Sequence, residues 1–219
     1  HEKVAILIGD ALIEGFGGSI FIPESIEAIT FAGLNSNIYV FSAAKQYQQV
    51  RQLSNLINDL GENADWQTFK KEAFDVFEDY NLNYLSAEFD TAVGQAQSAR
   101  NWIQIVSEKD VFPLLQYKTQ NDGLVREEHA VLHNIIRPVD DPFWRTRMPK
   151  NGWRCRCFTK QLESGEVKPI PEVDEKDFPP LFQMNPGREQ LIFDPKKHPY
   201  FRVARGDAYL RENNFNLPV

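Results

Sequence analysis

The stretch "VFPLLQYKTQNDGLVREEHAVLHN", residues 111–134, decides the fold, because a helical periodicity stops there and another pattern begins. Leu115, Tyr117 and Thr119 alternate with Leu114, Gln116 and Lys118. That period of two reads as a strand, and Pro113 places its start at an edge or bulge. "NDG" is a turn signal. "REEHAVLHN" predicts a short helix carrying His129 and His133 on one face.

Upstream the spacing is helical. Tyr47, Val50, Leu53, Leu56, Ile57 and Leu60 form one apolar face, with Ser42 placed as an N-cap and Gly61 as the stop. A second helix follows Asp65 through Trp66, Phe69, Ala73, Val76, Phe77 and Tyr80. A third runs from about Asn83 to Trp102, and its Ala92, Ala96 and Ala99 permit close packing. Downstream, ten of the chain's thirteen prolines fall between Pro138 and Pro199, which predicts a loop-rich region with short strands. "RGDAYLRENNF" predicts one more short helix. The expected fold is α+β: a helical N-terminal half packed with a loop-rich α+β C-terminal half containing short antiparallel strands. The expected division is 1–107, mainly helical, and 108–219, an α+β core with a basic Trp/Cys loop.

Composition excludes several classes. The 219 residues are 42% hydrophobic and 25% charged, ordinary for a globular chain. No apolar run approaches the ~20 residues of a membrane span, and "VAILIG" is too short for a secretory signal, so no membrane partner is expected. Position 1 is His rather than Met, which reads as a processed or excised fragment. Two cysteines cannot build a disulfide framework, so reduced thiols in a cytosolic compartment are expected. The net charge of −7 argues against a nucleic-acid coat, yet its distribution is uneven. Arg145, Arg147, Lys150, Arg154, Arg156 and Lys160 follow Trp144 without an intervening acid.

Three chemistries are open to this loop. The thiolates of Cys155 and Cys157, with His129 or His133, suit tetrahedral zinc, and Asp140, Asp141 and His198 are further ligand options. The alternative is two small buried thiols flanking a strand. Asp140 and Asp141 are adjacent and do not face each other as an acid–base pair; capping the turn into "PFW" is the plainer reading. An Asp122–Arg126 ion pair is expected to hold the turn after "YKT". Arg145, Arg147, Lys150, Arg154 and Arg156 beside Trp144 and Trp153 combine charge with stacking surface, as a DNA contact requires. "GFGGS" near the start lacks the lysine of a phosphate-binding loop.

The ordered series "YNLNYLSAEFDTAVGQAQSARNW", "FPLLQYKTQNDGLVREEHAVLHNIIRPVDDPFW", "PKNGWRCRC", "MNPG" and "HPY" resembles the phage Mu F-like family of minor head proteins, from about Phe41 to Tyr200. The resemblance implies a phage or prophage head morphogenesis protein, non-enzymatic, associated with the portal protein and other head components and assisting packaging or delivery of double-stranded DNA. It implies a place in the virion head or procapsid, and in the host cytoplasm during assembly. The family often has Pro-Pro-Asn-Gly-Trp where Met148 to Trp153 stand here, and a glycine where His133 stands. That leaves His129, Cys155 and Cys157 as the core of any zinc site, needing a fourth ligand such as Asp122, Asp140 or His198. A zinc-dependent hydrolase or nuclease on the same three residues, with Asp140 or Asp141 as base, is the competing expectation.

Overall fold

The computed structural model describes residues 1–61 and 65–203. Four helices come first: α1 (Glu2–Phe16), α2 (Ile26–Leu60), α3 (Trp66–Glu78) and α4 (Tyr84–Ser107), the last two joined by one π-helical turn, Asp79–Asn83. The chain then gives β1 (Leu114–Lys118), a single turn α5 (Glu127–Ala130), β2 (Ile136–Pro138), another single turn α6 (Phe143–Thr146) and β3 (Phe158–Leu162). A short α-helix, α7, spans Pro186–Glu189, and a 3-10 turn follows at Pro199–Phe201. The fold is α+β.

The sheet has the order β2-β1-β3 with both pairings antiparallel, so β1 is the central strand. Leu115 pairs with Arg137 on one side and Gln161 on the other, and Leu115 and Tyr117 turn the same face into the core. Pro113 sits just ahead of β1, where its missing N–H costs no ladder bond.

Helix starts follow capping chemistry. Asp65 accepts the amides of Gln67 at 2.9 Å and Thr68 at 3.0 Å, opening α3 as its position predicts. Gly61 closes α2. Ser42 is not an N-cap: α2 begins sixteen residues earlier at Ile26, where Ser25 accepts the Ala28 amide at 3.1 Å, and Ser42 lies buried mid-helix. The true start was masked because the inward face of α2 mixes Leu34, Ile38 and Phe41 with buried Thr30, Asn37, Ser42 and Lys45, which breaks the apolar stripe. "VAILIG" lies within α1, and "GFGGS" forms its C-terminal cap, with Gly17 and Gly18 at φ 82° and 134°.

Two cores result. Ile8, Leu12 and Phe16 of α1 pack with Leu34, Ile38 and Phe41 of α2 and with Ala92, Ala96 and Ala99 of α4. The alanines do permit close approach: a Cβ on Gly15 would stand 2.8 Å from that of Ala96. The second core gathers Leu115, Tyr117, Leu132, Val139, Trp144 and Phe178. Packing crosses residue 107 in both directions. α4 sends Trp102 and Ile105 into the sheet core, while Ile192, Phe193 and Phe201 return to the helical one. The helix expected over "RGDAYLRENNF" lies outside the described residues.

Candidate metal centre

His129, Cys155 and Cys157 are brought together, and all three are buried. The sequence explains how. Gly152 O accepts the Cys155 amide at 3.1 Å, closing a turn in which Arg154 takes φ 54°, and the chain then runs extended into β3. In extended backbone, residues two apart share a face, so Cys155 and Cys157 point inward together while Arg156 points out. His129 arrives from α5, whose amide bonds to Arg126 O at 3.0 Å start the turn. Gly152 leaves room for the Arg126 guanidinium: a Cβ there would meet its Nη1 at 3.1 Å, against an ordinary 3.7 Å to His129 Cε1.

Both sulfurs stand 3.7 Å from the same atom, His129 Nδ1. The other ring nitrogen, Nε2, is buried without a hydrogen-bond partner among the described residues. The imidazole stacks on Phe178 at 5.6 Å and 17°. Electrostatics divide the two thiols. The Cys157 thiol and then His129 hydrogen-bond to Cys155, overcoming burial and pulling its pKa down to about 4. Cys157 is pushed up, by that same shared proton and by burial. The two opposite shifts favour one thiolate beside one thiol. Lys150 donates to Cys157 O at 3.0 Å, and burial draws its pKa down against the attraction of the two sulfurs.

The remaining expected residues fall elsewhere. His133 is not on a shared face with His129, because α5 is one turn long; its Nδ1 faces Thr119 Oγ1 at 2.7 Å. Asp122 does not pair with Arg126. It pairs with Arg156 at 2.7 Å, and Arg126 donates to Trp153 O at 2.8 Å. Asp140 lies at the surface with Lys109 at 3.1 Å. Asp141 holds Arg137 at 2.6 Å and accepts the Phe143 amide at 2.8 Å, capping the turn into α6. His198 packs among Phe41, Tyr200 and Trp153 in the helical core. Among the described residues none of Asp122, Asp140 or His198 joins the three ligands.

The basic loop is more committed than its sequence implies. Arg147 does not point outward: it is buried, its guanidinium 4.0 Å from the Phe178 ring and 2.6 Å from Glu175. Arg154 reaches Asp90 at 2.9 Å and Ser86 at 3.1 Å. Lys150 lies along α4, where a Cβ on Gly94 would meet its Cγ at 2.9 Å. Arg145 is exposed. Trp144 is buried and donates to Pro138 O at 3.0 Å, and Trp153 meets Phe182 edge-on at 5.1 Å. Two residues that fix this loop gave no signal in sequence: Ser98 donates to Pro149 O and Gln95 to Lys150 O.

A family model described as Phage Mu protein F like protein matches residues 42–160, which include the whole cluster. The chain belongs to that family. Among its relatives, the putative capsid assembly protein F of Escherichia phage Mu is 36% identical over 86 residues, 39% of this chain and 20% of that protein. The Mu-like prophage FluMu F protein of Haemophilus influenzae is 36% identical over 73 residues, 33% of this chain and 18% of that protein. The matched stretches thus span a fifth or less of those relatives. No solved structure matches the chain.

Proposed function

We propose that this chain is part of a minor head protein of a phage or prophage, acting without catalysis in head assembly, and that it docks on the portal protein through its helical half. Membership of the Mu F-like family carries the reading, supported by the name of the phage Mu relative, a putative capsid assembly protein. On that reading it resides in the virion head or procapsid and gathers in the host cytoplasm during assembly.

The docking element is an arm. The buried residues of α2 end at Lys45, and the helix continues to Leu60, roughly 22 Å further at 1.5 Å per residue. α3 packs back along it with Val76 alone buried. Trp66, Phe74 and Phe77 are each half exposed or more, an apolar face of the kind that marks a protein interface. No described helix is long and apolar enough to cross a membrane.

DNA contact is a lesser part of the proposal: Arg145 is exposed, while Arg154 and Arg156 are each engaged by a carboxylate. The non-catalytic reading is supported by the pairing of the two expected bases, Asp140 with Lys109 and Asp141 with Arg137. The test is co-expression with the portal protein of the same phage or prophage. We expect co-purification, lost in Phe74→Glu/Phe77→Glu with circular dichroism unchanged. Failure of the unaltered chain to retain the portal protein overturns the docking.

A further inference from the structure

We infer that His129 Nδ1 and the thiolates of Cys155 and Cys157 bind one zinc ion as a structural clamp, with the fourth coordination position open to solvent. This is independent of the role in the particle. Zinc bonds of about 2.3 Å to sulfur and 2.0–2.1 Å to nitrogen, set at tetrahedral angles, put a sulfur and a nitrogen ligand roughly 3.6 Å apart. Both sulfurs stand 3.7 Å from one imidazole nitrogen. Both sulfur–nitrogen edges therefore match those of a tetrahedral zinc, and the three ligand atoms all lie within 4.8 Å of one another.

Charge agrees with geometry. Two thiolates neutralise a divalent zinc, so the occupied centre is buried without net charge, beside the partly buried Lys150 ammonium. Nδ1 coordination fixes the tautomer, placing the proton on Nε2. Two soft ligands and one imidazole select zinc over magnesium or calcium.

The fourth vertex has no candidate His, Cys, Asp or Glu among the described residues. A cavity of about 30 Å³ adjoins the cluster, lined by Gln120, Val125, Arg126, Arg154 and Arg156 besides the three ligands. That is room for a water and not for a substrate. No carboxylate lines the cavity, so a zinc-bound water there has no general base beside it. The ion's work is mechanical: α5 is one turn and the 147–157 loop has no regular structure, and a bond from His129 to both cysteines joins them directly.

The experiment uses the full chain purified without metal-affinity resin. Elemental analysis after incubation with zinc sulfate and desalting is expected to find about one zinc per chain. X-ray absorption should fit two sulfur and two nitrogen or oxygen neighbours. Chelation should lower the melting temperature by about 10 °C. Cys155→Ser and Cys157→Ser should lose the metal. Should those variants fail to fold, cobalt titration of the unaltered chain gives the same answer through thiolate charge-transfer absorption. Folded protein that retains no zinc, or bound metal without sulfur neighbours, overturns the site. A third sulfur or a second histidine in the coordination shell overturns the open position.

Discussion

Two buried polar centres in this chain solve the same problem differently. In the helical core, Lys45 and Glu88 are both nearly inaccessible and pair directly, and the Tyr200 hydroxyl donates to the other carboxylate oxygen at 2.8 Å. Each oxygen has a donor, so that centre is complete within the chain. In the loop core, two sulfurs converge on a single imidazole nitrogen. Long helices position partners from distant sequence well enough to match charges one to one. Short turns bring three ligand atoms together, and on the proposed reading a zinc ion completes the set.

That contrast is open to breakage, most severely at Glu88. Removing one half of a buried ion pair strands the other, so Glu88→Leu should cost about 3–5 kcal/mol by urea denaturation, and adding Lys45→Met should recover most of it. A cost near zero for the single variant would mean that Lys45 finds water, and that the helical centre is not self-contained. Burial already penalises both charges: it raises the pKa of Glu88 and lowers that of Lys45 against their mutual attraction.

His198, beside that centre, gives the next effect. Burial, and then the Lys45 charge, depress its pKa from 6.5 to about 4. The unfolded chain thus binds a proton that the folded chain does not. The stability from keeping His198 neutral is full above pH 6.5 and falls as pH drops toward 4, by about 3 kcal/mol. His198→Asn, which keeps an acceptor for the Tyr200 amide, should flatten urea midpoints measured between pH 7 and pH 4.5. The smallest effect is at the surface. Arg154 and Asp90 are both about half exposed, so Arg154→Ala should change stability by at most about 1 kcal/mol, and less in high salt.

Legibility followed the range of the interaction. The helix spacings after Ser42, the Asp65 cap and the strand at 114–118 were readable because neighbours in sequence decide them. The first half of α2 was not, since buried polar residues interrupt its apolar stripe, and one of them, Asn37, is satisfied from far away by the backbone of Ile192 and Phe193. The cluster's three members were legible by residue type. The geometry was not, nor was the burial of Arg147, which depends on Phe178 some thirty residues on. Asp122 chose Arg156 over Arg126 because the extended chain before β3 delivers that guanidinium, a pairing across 34 residues.

The stitch at Asn37 also orders events in time. Its side chain closes on the backbone of residues 192 and 193, and the helical core is filled by Phe193 and Phe201. As the chain leaves the ribosome, α1, α2 and α4 emerge long before those rings exist to cover them. Contacts spanning more than 150 residues must wait, so folding here is slow for so helical a chain. The last described segment is the lock that the first helices await, and any truncation before residue 192 should release a helical layer that never closes.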